Sequence, residues 1–380
     1  MNIQTERNFR LMQGNEAVVE GAIAAGVRFF AGYPITPSTE ILEKFAVRLP
    51  QVGGMFIQME DELGSLAAVL GASLGGAKAM TATSGPGLAL MTENISLAIE
   101  AEIPCVVVDV QRMGPAIGMI FTTQGDMMTA KWATPGGNEI IALTPSSVNE
   151  TYELTIRAVN LSERFRVPVI LLSDAYLGHM REKVKVVDYD HVERADRPKP
   201  TVPPSQYLSF DADEAGVPAM ADIGSEYHLV ITPYLHNKAG IYGPSVEERS
   251  FLLRRLHNKI LAHLDEILMN EEVMLDDAQI AIFAYGITAR AAKVAVRAAR
   301  AEGIRVGLFR PITVWPFPQE AVKQVARRVT KVIVVEMNFG QLVGEVERAC
   351  RGNVEVHLVS QDNGLLITPD KVLRAIKEAC

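Results

Sequence analysis

Short apolar runs alternating with longer helical patterns constrain this chain more than any other feature. VRFFAGY (27–33), FIQM (56–59), AMTATS (79–84), CVVVDV (105–110), EIIAL (139–143) and PVILLSD (168–174) are largely apolar at successive positions. A strand that is apolar on both faces has to be covered on both faces, as in a parallel sheet flanked by helices. The stretches between them, 39–49, 62–75, 88–101 and 146–165, have helical length and spacing. The alternation predicts a doubly wound α/β sheet.

From 183 to about 243 the pattern stops. Pro198, Pro200, Pro203, Pro204, Pro218 and Pro233 fall among mixed charges without periodicity, as in a linker or a wrapping arm. Leu253, Leu256, Ile260, Leu264 and Ile267 then share one face of a helix predicted over 245–268. A second series of strands follows at QIAIFAYG (279–286), IRVGLFR (304–310), KVIVVEMN (331–338) and VEVHLVS (354–360), with helices over 288–302, 319–329 and 340–350. A last helix starts at Thr368 as N-cap with Pro369 in the first position. The expected units are 1–183, a linker with its packing helix over 184–270, and a smaller α/β unit over 271–380.

Composition removes several functions. Hydrophobic residues make up 48% of the 380 positions, enough for a large core, and the net charge of −8 comes with no long basic run, so nucleic acid is not an expected partner. The N-terminus is polar and acidic, unlike a secretion signal. The least charged stretch, 63–92, is broken by Lys78 and several glycines, which suits buried core better than a membrane span. A soluble, cytoplasmic protein is expected. Cys105, Cys350 and Cys380 include no CxxC pair, and the histidines lack ligand spacing, so no metal site is expected on this chain. Cys105, inside PCVVVDV, reads as a buried thiol. No GxGxxG, GxxxxGK[ST] or HExxH is present, and Ser84 lacks the first glycine of GxSxG.

Loops after strands remain, since ligand sites of open α/β sheets lie at the carboxyl ends of strands. In GYPITPST (32–39), Pro34 and Pro37 stiffen a turn that carries Thr36, Ser38 and Thr39. This is either a capped strand-to-helix connection or a binding loop. In MEDELGS (59–65), Asp61 suits an N-cap, whereas Glu62 borders an apolar helix. Glu62 is either a second helix-start acid or a desolvated carboxyl suited to proton transfer. The third loop, 111–137, carries Arg112, which is either a structural ion-pair partner or a clamp for a carboxylate. Met113, Met119, Met127 and Met128 line the same segment.

Together GYPITPSTEI, MEDELGSLAAVLGASLGGAKAMTATSGPGLALMTENI and the later PFP…VIVVEMNFGQL resemble the α subunits of 2-oxoacid:ferredoxin oxidoreductases, in order and over nearly the whole chain. The resemblance implies a pyrimidine-type thiamine-diphosphate-binding domain followed by a smaller domain similar to the transketolase C-terminal domain. It places on Glu62 the carboxyl that hydrogen-bonds the pyrimidine ring and favours its imino tautomer. It gives Thr36 and Arg112 the substrate carboxylate, and Pro34 and the Ser84–Gly85–Pro86 loop contacts to the cofactor. The second domain is implied to support assembly and shape the approach of coenzyme A.

The departures matter equally. Thiamine enzymes anchor diphosphate and Mg2+ (magnesium) with a GDG-type loop, yet the sole GD here, Gly125–Asp126, lacks the second glycine. Cysteine quartets are missing as well. The resemblance therefore implies a β subunit carrying the diphosphate module, Mg2+ and a 4Fe-4S iron–sulfur cluster. Separate γ and ferredoxin-like δ subunits are implied too, with ferredoxin as electron acceptor. The expected reaction is oxidative decarboxylation of a 2-oxoacid to an acyl-CoA, with 2-oxoglutarate favoured by the interdomain segment. A branched-chain 2-oxoacid or pyruvate, half of a non-redox thiamine enzyme, and an assembly subunit are the alternatives.

Overall fold

The computed structural model describes residues 9–136, 138–187 and 189–380. The N-terminal eight residues, part of the segment unlike a secretion signal, lie outside them, as does Gly137 at the end of the third loop. Strand β1 (Phe9–Gln13) leads into helix α1 (Gly14–Ala24). Then β2 (Phe29–Gly32), α2 (Thr39–Gln51), β3 (Met55–Gln58), α3 (Glu62–Leu74), β4 (Ala79–Thr83) and α4 (Pro86–Glu100) alternate. Strand β5 (Cys105–Met113) forms a hairpin with β6 (Met119–Thr122), followed by α5 (Met127–Trp132) and β7 (Ile141–Leu143). Helix α6 (Val148–Phe165), β8 (Pro168–Asp174), α7 (Ala175–His179) and β9 (Arg181–Lys185) end this part.

After a long irregular segment come α8 (Val246–Leu261), α9 (Leu264–Ile267) and β10 (Asn270–Val273). The second series is β11 (Ile280–Ala284), α10 (Thr288–Ala301), β12 (Val306–Pro311), β13 (Thr313–Trp315) and α11 (Gln319–Ala326). It ends with β14 (Lys331–Glu336), α12 (Val343–Cys350), β15 (Glu355–Ser360) and α13 (Pro369–Glu378). Thr368 caps α13 through the amide of Lys371, with Pro369 beside it as the sequence predicts.

The first sheet runs β13-β7-β8-β5-β4-β2-β3, with β6 added to β5. Its β2, β3, β4, β5, β7 and β8 are parallel, as expected from two-sided apolarity. The second runs β10-β12-β11-β14-β15 and is parallel except for β10. Strand β13 lies beyond the strand expected over 304–310, where the sequence predicts none. It crosses back to pair with β7, so the second series contributes a strand to the first sheet. Trp315 on β13 is buried, and its indole donates to the Met127 carbonyl at 2.7 Å. One apolar cluster thereby runs from α3 and α4 through Met127 and Trp315 into β11 and β14.

Helix α1 gave no periodic signal because it is buried almost all round. A Cβ at its Gly21 would stand 2.5 Å from the Tyr152 carbonyl oxygen, so glycine permits the close approach to α6. The helix expected over 245–268 is broken at 262–263, and its inward face differs from the apolar stripe predicted. Leu253 is exposed, while Arg255 and Lys259 are buried with Leu252, Leu256 and Ile260. Their partner is Glu102, fully buried at φ +52° just after α4. Glu102 accepts from Arg255 Nη1 at 2.9 Å and from Lys259 Nζ at 2.8 Å. Burial alone would raise the Glu102 carboxyl, but Lys259 and Arg255 outweigh it and hold it well below the usual carboxylate range.

Glu102→Gln would strip these two buried cations of their counter-charge. The expected cost is about 3–5 kcal/mol, read as a lower urea midpoint at unchanged m. Because the folded pKa is depressed, this stabilisation is present above the unfolded carboxylate value. The gap between variant and parent should therefore close as pH falls below about 4.

Candidate functional site

Strand β2 pairs with β3 up to Gly32↔Gln58 but with β4 only to Phe30↔Met80. The sheet splits there, and chain order reverses around β2, so the crevice lies at a topological switch point. The three loops singled out in the sequence end at this edge: 33–38 after β2, 59–61 after β3 and the end of β5. The 84–85 turn after β4 joins them. In the first, the Ser38 hydroxyl donates to the Ile35 carbonyl at 2.8 Å and does not cap α2. Asn15 Nδ2 holds the Pro37 carbonyl at 2.8 Å. Pro34 and Thr36 are left exposed at the rim.

The two acids after β3 divide their work. Asp61 is the N-cap of α3, accepting from the Gly64 amide at 2.7 Å. Glu62 is thereby released from capping and turns inward, 5% exposed. Among the described residues no side chain or amide donates to its carboxylate. A Cβ at Gly87 would stand 2.5 Å from Glu62 Oε1 and 2.0 Å from Thr83 Oγ1, so glycine at that place keeps a cradle open beside both. The hydroxyls of Thr83 and Ser84 are buried without partners. Gly85, at φ +37°, directs its amide to Asp109 Oδ1 at 3.1 Å, and Pro86 opens α4.

Arg112 lies in β5 rather than in a loop, because β5 continues into the hairpin with β6. Its Nη1 donates to the Thr36 carbonyl at 2.7 Å, so the structure joins the two residues through backbone and not through the Thr36 hydroxyl. No carboxylate oxygen of the described residues lies within 4.0 Å of it, and its Nε is buried without a partner. Beside it stand two acids not singled out in the sequence. Burial pushes Asp109 well above the usual range, with Asp126 adding to the effect. Burial also raises Asp126, to about 6, against the opposing pull of Asp109 and Arg112. An aspartate inside an otherwise apolar strand was the available signal for Asp109. Asp126 gave none beyond its incomplete GD.

A cavity of about 690 Å³ opens here, lined by Gly85, Pro86, Arg112 and Asp126 on one side and by Asn338 and Gln341 on the other. Gln124 ties its two walls together. Its amide nitrogen Nε2 donates to the Tyr285 carbonyl (2.8 Å) and its Oε1 accepts from the Met337 amide (3.0 Å). Its backbone N–H donates to the Met337 carbonyl (3.0 Å), and its carbonyl accepts from Asn338 Nδ2 (2.7 Å). Glu336 holds the facing loop by accepting from the Tyr285 hydroxyl (2.6 Å) and the amides of Leu342 and Val343 (3.1 Å each). Around the mouth, Ile117, Met119, Ile120, Phe121, Phe339 and Leu365 are exposed.

Cys105 is buried, its thiol pushed up to about 12 by burial. Among the described residues no group of three or more His, Cys, Asp or Glu side chains is placed to hold a metal ion, and no helix is long and apolar enough to cross a membrane.

Comparison with known proteins adds the following. The family described as "Pyruvate flavodoxin/ferredoxin oxidoreductase, thiamine diP-bdg" matches residues 20–236, and "Pyruvate:ferredoxin oxidoreductase core domain II" matches 278–372. The 2-oxoglutarate synthase subunit KorA of Methanothermobacter marburgensis is 47% identical over 98% of this chain and 99% of its own. That of Methanocaldococcus jannaschii is 49% identical over 96% and 98%. Among solved structures, a chain of 2-oxoglutarate:ferredoxin oxidoreductase from Magnetococcus marinus, with 2-oxoglutarate, coenzyme A and succinyl-CoA bound, superposes with a TM-score of 0.92 at 33% identity. The match covers 98% of this chain and 65% of that one.

Gln124→Ala would leave the buried Met337 amide just after β14 unpaired, while the Tyr285 carbonyl keeps the Thr288 hydroxyl, at a cost of roughly 1–3 kcal/mol if water does not replace the lost bond. Chemical denaturation should show that loss. Faster amide exchange should follow around 337–341, and an unchanged exchange pattern there would sever Gln124 from the loop.

Proposed function

The chain belongs to the 2-oxoacid:ferredoxin oxidoreductase family, and we propose that it is the α subunit of a 2-oxoglutarate:ferredoxin oxidoreductase, presenting the pyrimidine side of a thiamine-diphosphate site. One observation carries the site assignment: a buried carboxyl, Glu62, that the protein leaves without a donor and keeps uncovered with glycine at position 87.

A carboxyl in this position can share a proton with a ring nitrogen placed against it, because burial has removed competing water. Glu62 is therefore the residue that would hold the aminopyrimidine. The buried hydroxyl of Ser84, the Gly85–Pro86 turn and Pro34 would line its contact surface. Thiamine diphosphate supplies, when bound, the nucleophilic carbon and electron sink that decarboxylation of a 2-oxoacid requires. Arg112 and Thr36 would receive the substrate carboxylate at the rim. The Thr36 carbonyl fixes one guanidinium nitrogen, which orients the remaining donors for a paired, charge-assisted contact. The cavity between the β5–β6 hairpin and 338–341 offers coenzyme A an approach.

The exposed apolar residues around the cavity mouth support a partner subunit covering it. We assign to that β subunit the diphosphate module, Mg2+ and an iron–sulfur cluster, with γ and δ subunits and ferredoxin completing electron transfer in the cytoplasm. On this reading 1–183 is the pyrimidine-binding unit, 184–270 the connecting arm with its helix, and 271–380 the second unit, which lends β13 back to the first.

Glu62→Gln in the reconstituted complex should lower kcat by roughly 10²–10⁴-fold while the subunits still co-purify. Gly87→Ala should weaken thiamine diphosphate binding in a titration of the apo-complex, since the added methyl meets Glu62. Intact turnover in Glu62→Gln would leave an assembly role. A panel of 2-oxoglutarate, pyruvate and a branched-chain 2-oxoacid, assayed with coenzyme A and a low-potential acceptor, should favour 2-oxoglutarate.

A further inference from the structure

Two buried acids beside Arg112 have no part in the scheme above. The side chains of Asp109 and Asp126 lie within hydrogen-bonding reach of each other. Yet Asp109 Oδ2 and Asp126 Oδ2 are both buried without a donor. Two carboxylates offer only acceptors, and a single proton between them satisfies both oxygens at once. Arg112 Nε is the third unpartnered polar atom at this place. The other anchors are fixed: Gly85 N–H donates to Asp109 Oδ1 at 3.1 Å, and the Asp126 amide donates to Gln111 Oε1 at 3.1 Å.

We infer that Asp126, through its shared proton with Asp109, is a positioning residue for Arg112 that exchanges charge for the substrate's. Before substrate arrives the pair carries one negative charge, which balances the guanidinium. When a 2-oxoacid carboxylate engages Arg112, that balance is duplicated in a buried space, and the pair takes up a proton from solvent. The bond that forms is O–H on Asp126, and the proton comes from water or buffer. This rests on the reading of Arg112 as the carboxylate clamp.

The charged neighbours support the assignment. From β5 the pair is faced by Arg112. From α5, Lys131 is occupied by Glu139 at 2.8 Å and the Asn138 carbonyl. Glu62 of α3 reaches the same turn two residues on, at Gly87. Across the cavity, beyond β15, stands Asp362, with neutral Asn338 and Gln341. Among these neighbours no other cation faces the pair. An arriving carboxylate can only make ionisation of Asp126 harder, which sets the sign. Burial raises Asp126 in the free pair to about 6, and the arriving carboxylate raises it further. Between those values binding takes up a proton, and affinity falls as pH rises.

The test uses the reconstituted holo-complex and N-oxalylglycine, an isostere of 2-oxoglutarate that cannot be decarboxylated. Calorimetry at pH 7.5 in buffers of different ionisation enthalpy should show net uptake of a substantial fraction of a proton in the parent and none in Asp126→Asn. The KM for 2-oxoglutarate should rise about tenfold between pH 6.5 and 8.5 in the parent, for a shift of about one and a half pH units. It should stay flat in Asp126→Asn, which would bind more tightly than the parent at high pH. A merely structural aspartate would not produce that gain. Proton-free binding to the parent, or a parental pH profile in Asp126→Asn, overturns the inference while Arg112 stands. An unchanged KM in Arg112→Gln overturns the clamp, and the inference with it.

Discussion

Everything around the site depends on one glutamine crossing between the two sheets. In an open α/β sheet the carboxyl-end crevice at the switch point is the usual ligand position. In the second sheet the switch point falls between β11 and β14, and Gln124 of the first unit fills it. Gly286, at φ +54°, is bare because a Cβ would stand 2.8 Å from Gln124 Nε2. The second unit has thus surrendered its own crevice to a protein side chain. Its remaining contribution is the 338–341 loop, turned by Glu336 toward the cavity that Arg112 and Asp126 line from the other side. The site is composite for that reason, and β13 and Trp315 tie the same two bodies together from behind.

Buried polar groups follow two opposite policies in this molecule. Two structural acids are saturated: Glu102 has Arg255 and Lys259, and Arg197 places two nitrogens on Glu163 at 2.7 and 2.6 Å. Where the crevice lies, groups are left open: the hydroxyls of Thr83 and Ser84, Arg112 Nε and one oxygen each of Asp109 and Asp126. Unsatisfied buried groups cost about 1–3 kcal/mol each, and the five that meet at this crevice would be satisfied by one ligand there, whereas Arg157 Nε, Arg166 Nη2 and Arg310 Nε are single atoms of guanidinium groups otherwise paired. The division is sharpest at two adjacent residues. Asp61 accepts the helix amide that any capping acid would take, which leaves Glu62 nothing to do inside the protein.

The sequence disclosed what is local. Two-sided apolar strands, the Thr368–Pro369 helix start and Asp61 as an N-cap follow from spacing within a few residues, whereas spacing left Glu62 open between two roles. What stayed hidden depends on partners far along the chain. Gln124 looks like any loop glutamine until Tyr285 and Met337 come beside it. Arg255 and Lys259 look like a solvated helix face until Glu102 arrives from a turn some 150 residues earlier. Helix α1 carries no stripe because it has no solvent side. Arg112 was placed in a loop because Gln111 breaks the apolar run, although its amide Nε2 is satisfied by the Ser173 carbonyl within the sheet.

These facts bear on why such a chain would need another subunit. A guanidinium–carboxylate contact or a proton shared with Glu62 gains strength only where water is excluded, since Coulomb energy scales inversely with the effective dielectric. This chain buries the acids but leaves Pro34 and Thr36 exposed at the rim, and Phe339 83% exposed at the mouth. Gln124 and Trp315 tie the two sheets together behind that opening. Among the described residues none covers it. The apolar hairpin tip at Ile117, Met119, Ile120 and Phe121 is the surface that a second protein would bury in covering it.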